Sequence, residues 1–253
     1  MQELDNLNIL VTRPRGLEAL LMKLLTEAGA TPHHLPVIDI TAPTSDASRE
    51  VARDHLDEFD IAIFISPTAV QRTLAYMSID DNRCRLCAIG SRSAAALADA
   101  GLHVAIQPDG HDSESLLAQD EMQREHVEGK RIVIFRGEDG RDVLAQELER
   151  RGARVHYAAM YNRVRPNAAV PQDLLEQIDA VTVSSNEGLR NLFDMVADAG
   201  ADLERLLSLP LIVPGARAEQ LAATLGFSSV HKASNATDRA VFDALVQAFS
   251  QRV

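Results

Sequence analysis

The sequence contains no tryptophan, three tyrosines, seven phenylalanines and two cysteines among its 253 residues. With so few aromatic side chains, we expect the core to consist of Leu, Val, Ile and Ala. No apolar run reaches the roughly 18 residues that a membrane-spanning helix needs. The first residues also lack the basic and apolar regions of an export signal, so a cytoplasmic protein is expected.

Basic residues are also scarce, since 25 Lys and Arg stand against 37 Asp and Glu and give a formal net charge of −12. A general nucleic-acid-binding protein needs a basic surface to neutralise phosphates, so this composition argues against that class. A small anionic ligand is still compatible with it, because local Arg residues and helix N-termini can hold one.

Nucleotide and metal motifs are missing as well. No Gly-x-Gly-x-x-Gly or Walker A loop follows an apolar run. Cys84 and Cys87 form one Cys-x-x-Cys, but no second pair completes the four ligands of a zinc site. Cys87 begins a predicted strand, unlike a thioredoxin-type motif, so we expect two reduced, partly buried thiols. The eight His residues show no metal-ligand spacing.

Short apolar runs alternate with helical patterns along the whole chain. Residues 60–66 and 131–135 are near-continuous apolar runs, typical of strands that a parallel sheet buries on both faces. Ser66-Pro67 predicts a capped helix start directly after the first of these runs. This alternation predicts an α/β protein with doubly wound parallel sheets.

Three features of the pattern occur twice, in the same order. They are the spacing from Arg13 to Gly29 and from Arg136 to Gly152, the spacing from Asp60 to Ser66 and from Asp179 to Ser185, and the turns 89–94 and 213–218. Matching spacings in three successive units predict two similar, flavodoxin- or Rossmann-like domains.

Two extended, Pro-bounded segments, residues 33–40 and 157–167, are the predicted connectors at which the chain passes from one domain to the other. We therefore predict domain 1 from residues 1–35 plus 168–253 and domain 2 from residues 40–165. The two connectors would form a two-stranded β-ladder hinge beside an interdomain cleft. A single division near residue 125 is the alternative, but it gives no reason for two such segments.

The motifs that carry a family resemblance are Leu10-Val-Thr-Arg-Pro14, Leu35-Pro-Val-Ile38, Phe64-Ile-Ser-Pro-Thr-Ala-Val70, Ala88-Ile-Gly90 with Ser93-Ala94, Gly129-Lys-Arg131 with Phe135-Arg-Gly137, Tyr161, Val183-Ser-Ser-Asn186 and Ala236-Thr-Asp238. In this order and spacing, the chain resembles the uroporphyrinogen-III synthase family along nearly its whole length. The resemblance implies a hydro-lyase of haem and sirohaem biosynthesis that cyclises hydroxymethylbilane. The last pyrrole ring is inverted through a spiro intermediate, and water is released without a metal or cofactor. It also implies a monomer, with transient contact to the preceding enzyme of the pathway as a further expectation.

The substrate that this resemblance implies is a linear tetrapyrrole with eight carboxylates. Doubly wound sheets bind ligands beyond the carboxyl ends of their strands, and hydroxyl-capped helix starts there suit carboxylates. We therefore expect substrate contacts from Arg13, Ser66, Gly90, Ser91, Arg92, Ser93, Arg136, Ser185, Asn186, Gly215 and Arg217. Ser66 and Ser185 have the alternative role of simple helix caps, and Arg13 and Arg136 that of ion-paired groups. Family members often carry Thr at the position of Ala216, so contacts there are expected from Arg217.

Tyr161 is the predicted catalytic residue. The reaction begins with loss of the terminal hydroxyl group, and a phenol beside the leaving oxygen can donate a hydrogen bond or a proton. Tyr157 has the same strand parity, so we expect both rings to face the same side, and Tyr157 is the alternative candidate. In the first copy of the repeat, the counterpart of Tyr161 is Ile38. A two-lobed protein that binds a small anion without catalysis is the alternative function.

Overall fold

The computed structural model describes residues 3–110, 112–140, 142–171 and 173–250. The strands are β1 Asn8–Val11, β2 Thr31–His34, β3 Asp39–Thr41, β4 Ile61–Phe64, β5 Arg85–Ala88, β6 Val104–Ile106, β7 Arg131–Gly137, β8 Arg154–Val164, β9 Ala180–Thr182, β10 Leu211–Val213 and β11 Val230–Lys232. The α-helices are α1 Ala19–Glu27, α2 Ala47–Asp54, α3 Pro67–Tyr76, α4 Ser91–Asp99, α5 Ser113–Leu117, α6 Arg124–Val127, α7 Val143–Arg150, α8 Leu174–Gln177, α9 Asn186–Asp198, α10 Leu203–Ser208, α11 Ala216–Leu225 and α12 Asp238–Ser250. Within the described residues, none of these helices is long and apolar enough to cross a membrane.

The contacts within the chain divide it into two units. Unit 1 consists of residues 1–40 and 164–253, and unit 2 consists of residues 41–163. The chain therefore passes from one unit to the other twice, and the contacts show no single division near residue 125. The predicted domain bounds, the hinge and the cleft stay sequence-based predictions.

Unit 1 contains a five-stranded sheet in the order β11-β10-β9-β1-β2, and all its pairings are parallel. Pro32 lies in β2 at the edge of this sheet, where a residue without a backbone N–H costs no ladder hydrogen bond. Leu, Val, Ile and Ala dominate the two core clusters on its faces, as the shortage of aromatic residues predicts. Leu35, Val37 and Ile38, after β2, are buried in one of these clusters.

Unit 2 contains a six-stranded sheet in the order β3-β8-β7-β4-β5-β6. Its central strand β4 is buried along its whole length, which explains the continuous apolar run of that segment. Strand β8 pairs in parallel with β7 from Arg154 to Tyr161. The predicted connector 157–167 therefore begins inside a strand of the sheet, and Tyr157 and Tyr161 belong to unit 2.

The two sheets have related strand orders. In chain order of its own elements, unit 1 has the order 2-1-3-4-5, whereas unit 2, with six strands, has the order 1-6-5-2-3-4. The sheets correspond when β7 and β8 of unit 2 are matched to β1 and β2, and β4, β5 and β6 are matched to β9, β10 and β11, so that the direction reverses between β1 and β9 in unit 1 and between β7 and β4 in unit 2. The two aspartates of the repeat, Asp60 and Asp179, make the same kind of hydrogen bond. Asp60 accepts a hydrogen bond from the Arg131 backbone N–H at 2.9 Å, and Asp179 accepts one from the Asn8 backbone N–H at 2.8 Å. Each carboxylate thus fastens the start of the strand that neighbours its own.

Candidate active site

The reversal of strand order marks the place where doubly wound sheets bind ligands, beyond the carboxyl ends of the two central strands. In unit 2 this place is formed by the ends of β4 and β7, which lead to Ser66 and to Gly137. In unit 1 it is formed by the ends of β1 and β9, which lead to Arg13 and Ser185. The sequence-predicted residues at these two places are Arg13, Ser66, Arg136, Ser185 and Asn186, whereas the turns at Gly90 and Gly215 follow the next strands, β5 and β10.

Tyr161 lies at the unit 2 site and is 2% exposed. Its hydroxyl oxygen is 3.2 Å from Ser66 Oγ. Its ring lies on the backbone of Gly137, since a Cβ added there would be 2.9 Å from Tyr161 Cε2 and 3.0 Å from Cζ. A glycine on one side and a serine on the other thus hold the phenol in place.

The prediction that Tyr157 and Tyr161 face the same side is wrong. The register of β7 and β8 shifts between Arg136 and Gly137, which pair with Ala159 and Tyr161, so Met160 is an extra residue on β8. A β-bulge of this kind breaks the two-residue alternation of side chains. Tyr157 consequently packs with the Ile134 face of the sheet, opposite to the face on which Tyr161 meets Ser66.

Tyr157 instead lies against Arg136. The Arg136 guanidinium is 4.4 Å from the Tyr157 ring centroid, and its Nη1 is 3.0 Å from Asp142 Oδ1. Burial raises the pKa of Tyr157, an effect that the nearby Arg136 charge opposes. Tyr157 and Arg136 line a cavity of about 230 Å³ together with four aliphatic side chains.

Arg13 holds the equivalent place in unit 1, and it is also ion-paired. Its Nε is 2.6 Å from Asp238 Oδ1, and its Nη2 donates to the Ala236 carbonyl at 2.8 Å. Both arginines are nearly buried, at 7% and 5% exposure. Both arginines are thus ion-paired, which is the alternative role that the sequence left open. Contact of either arginine with a substrate carboxylate stays a prediction.

Ser66 and Ser185 cap α3 and α9 as predicted. Ser66 Oγ accepts from the Ala69 N–H at 3.1 Å, and Ser185 Oγ accepts from the Gly188 N–H at 3.0 Å. Both serines are partly exposed, and Asn186 is exposed. Contact between these residues and a ligand stays a prediction.

The two remaining turns lead into α4 and α11. Gly90 has φ +86°, in the left-handed region that disfavours a side chain. Ser91, Arg92 and Arg217 are exposed, and Gly215 is partly exposed, so all four are accessible to a ligand. Ser93 differs from them, because it is only 1% exposed and its Oγ has no hydrogen-bond partner within the described residues.

The family model for uroporphyrinogen-III synthase HemD matches residues 20–243. The chain belongs to this family. The uroporphyrinogen-III synthase of Salmonella typhimurium is 28% identical over 248 residues, which cover 94% of this chain and 100% of that protein.

Solved structures of two uroporphyrinogen-III synthases share the fold. A mutant of the Thermus thermophilus protein has a TM-score of 0.61 at 17% identity and covers 97% of this chain and 99% of its own. The Helicobacter pylori protein has a TM-score of 0.60 at 13% identity, with 95% and 99% covered. These likenesses establish the two-domain α/β fold of the family.

Sequence reasoning missed several residues around the site. Gly137 was part of the Phe135-Arg-Gly137 motif but had no assigned role, and only the structure shows the Tyr161 ring lying on it. Asp238, in the Ala-Thr-Asp motif, is the partner of Arg13. In unit 2, Gly140 makes room for Arg136, since a Cβ there would collide with the Arg136 guanidinium. No group of three or more His, Cys, Asp or Glu within the described residues is arranged to hold a metal ion.

Proposed function

We propose that this protein cyclises hydroxymethylbilane to uroporphyrinogen III, as a hydro-lyase of tetrapyrrole biosynthesis. The observation that carries the proposal is the match to the uroporphyrinogen-III synthase family over residues 20–243. The hydroxyl pair at the point where the strand order of unit 2 reverses supports it, because the reaction needs a donor beside a leaving oxygen.

The first step removes the terminal hydroxyl group of the substrate. As the C–O bond breaks, its electron pair stays on oxygen, and the proton of the adjacent pyrrole N–H joins that oxygen. Water and a neutral azafulvene result. A hydroxyl that donates a hydrogen bond to the departing oxygen stabilises the charge that develops there. The substituted α-carbon of the last ring then attacks the methylene carbon of the azafulvene and forms the spiro intermediate, and the azafulvene's electron pair returns to its ring nitrogen. The bond from that α-carbon to the neighbouring bridge breaks, and the bridge rejoins the ring at its unsubstituted α-carbon, which inverts the ring. The proton lost from this carbon replaces the one lost from the pyrrole N–H.

Binding must also fold the substrate, because free hydroxymethylbilane closes spontaneously to the non-inverted isomer. Helices α3, α4, α9 and α11 begin at the carboxyl ends of strands, and their free N–H groups suit carboxylates. Exposed Arg92 and Arg217 add positive charge at two of these helix starts. Because many groups would share the binding and folding of the substrate, we expect no single substitution to abolish activity.

One assay tests the proposal. The protein is incubated with hydroxymethylbilane, and the type-I and type-III products are resolved by chromatography. We expect predominantly type-III product, against type I without protein. A protein that binds the substrate and leaves the product as type I would overturn the proposal in favour of the two-lobed binding protein.

Tyr161 is tested in the same assay. If Tyr161→Phe keeps the full cyclisation rate and the full excess of type III, the predicted role of its hydroxyl falls. The reaction itself would still stand, because product identity and rate are measured separately. A monomer in the cytoplasm, working without a cofactor and meeting the preceding enzyme only transiently, stays an expectation of the family resemblance.

A further inference from the structure

The two hydroxyls of the unit 2 site differ in access. Tyr161 is 2% exposed, whereas Ser66 is partly exposed. A group that assists a leaving oxygen has to reach that oxygen within about 3 Å. Of the two, Ser66 is therefore the hydroxyl that a substrate can approach in this structure.

The hydrogen-bond directions point to the same residue. The Tyr161 hydroxyl makes no other hydrogen bond within the described residues, so its buried proton is satisfied only by donation to Ser66 Oγ, 3.2 Å away. Ser66 Oγ also accepts from the Ala69 N–H at 3.1 Å. A serine hydroxyl has two lone pairs and one proton. With both lone pairs occupied, its proton is left to point at a ligand.

We propose that Ser66 is the catalytic hydroxyl that donates a hydrogen bond to the departing oxygen of hydroxymethylbilane, and that Tyr161 is a positioning residue that acts through Ser66. This inference rests on the proposed function. Two donors to one oxygen polarise its O–H bond, because hydrogen bonds in a chain strengthen one another. Tyr161 thus makes Ser66 a better donor and fixes its direction.

Ser185, in the other copy of the repeat, is a control for the helix-capping role of Ser66. Ser185 caps α9 as Ser66 caps α3, but the residue at the place of Tyr161 is Ile38. A Cβ added to Gly188 would lie 3.3 Å from Ser185 Oγ and 3.9 Å from Ile38 Cδ1, so an aliphatic group lies next to this serine. Ser185→Ala therefore measures the stability cost of a lost cap without a lost tyrosine contact.

The test is a double-mutant cycle on kcat and KM with Ser66→Ala, Tyr161→Phe and the double variant, assayed with hydroxymethylbilane. We expect Ser66→Ala to lower kcat about 10- to 100-fold in the unaltered protein and by a smaller factor in the Tyr161→Phe background. Tyr161→Phe should lower kcat when Ser66 is present and change nothing when residue 66 is Ala. Ser66→Thr, which keeps hydroxyl and cap, should restore most of the rate. Ser66→Gly, which keeps most of the cap stability, should not.

The opposite asymmetry would overturn the inference. If Tyr161→Phe lowers kcat in both backgrounds and Ser66→Ala has no effect beside it, Tyr161 is the donor and Ser66 positions it. Rates that stay unchanged in all the variants would remove hydroxyl assistance altogether. Formation of type-III product by the unaltered protein decides the proposed function separately. Urea unfolding of Ser66→Ala beside Ser185→Ala shows how much of any loss is due to the cap.

Discussion

Arg13 and Asp238 form an ion pair with Nε 2.6 Å from Oδ1, and their side chains are 8% and 13% exposed. The two residues come from opposite ends of the chain, and both belong to unit 1. Arg13 follows β1, and Asp238 is the first residue of α12. This pair therefore fastens α12 to the end of β1, an inner strand of the sheet.

Removal of one partner should destabilise unit 1 strongly. Arg13→Met removes the cation from a nearly buried ion pair, which costs about 3 kcal/mol in the free energy of unfolding. Replacement of both residues, Arg13→Met with Asp238→Leu, should cost less than either single change. Urea unfolding followed by circular dichroism measures all three variants.

The control for this prediction lies in the same helix. Arg239 and Asp243 also form an ion pair, at 2.9 Å, but their side chains are 71% and 55% exposed. Such surface pairs contribute about 0.5 kcal/mol or less. If Arg239→Met proves as costly as Arg13→Met, burial does not determine the contribution of these ion pairs.

The features of the fold that sequence reasoning predicted are local ones. A buried parallel strand produces a continuous apolar run, and a helix start produces a capping serine, so the strands and the caps at Ser66 and Ser185 could be read directly. The repeated Asp-to-Ser spacing was visible for the same reason. Asp60 and Asp179 each bind the strand next to their own, which places them at a fixed distance before the cap.

The features that were missed depend on contacts between distant residues or on a change of register. No local pattern tells that Arg13 pairs with Asp238. The bulge at Met160 was equally hidden, because parity counting assumes an uninterrupted alternation of side chains. One extra residue on β8 was enough to place Tyr157 and Tyr161 on opposite faces.

The cysteines should be unreactive in the folded protein. Cys84 and Cys87 are free and buried, and burial raises the pKa of both thiols to about 12. Because the thiolate is the reactive form, labelling by a disulfide reagent at pH 8 should be very slow until urea unfolds the chain. An Ala223→Cys variant, with its new thiol on an exposed position of α11, is the control and should react within minutes. Rapid labelling of the unaltered protein would contradict the burial of the two thiols.

Because of Asp60, the free energy of unfolding should depend on pH in the acidic range. Burial acts to raise its pKa, but hydrogen bonds from Lys130 Nζ and the Arg131 N–H, both at 2.9 Å, outweigh burial and lower the pKa. Because the folded pKa lies below the unfolded value, the contribution is present above the unfolded pKa and is lost as pH falls through the folded pKa. Asp60→Asn should therefore cost about 1 kcal/mol at pH 7 and progressively less below about pH 4.

The measurement is urea unfolding of the unaltered protein and of Asp60→Asn between pH 7 and pH 3. Lys130→Met offers a partial control, because it removes the charged partner and keeps the backbone donor. It should reduce the acid-dependent part of the stability without abolishing it. A difference between Asp60→Asn and the unaltered protein that stays constant down to pH 3 would contradict the assigned pKa shift.

Gly137 should be intolerant of any side chain, because the Tyr161 ring occupies the space of a Cβ. Gly137→Ala would place a methyl group 2.9 Å from Tyr161 Cε2, so the ring has to move and its hydrogen bond to Ser66 is lost. We expect a loss of about 1–3 kcal/mol in unfolding free energy and a fall in the rate of type-III formation like that of Tyr161→Phe. In a Tyr161→Ala background, where no ring has to move, Gly137→Ala should cost little further stability. Equal cost in both backgrounds would mean that Gly137 is required by the backbone of β7 rather than by the phenol.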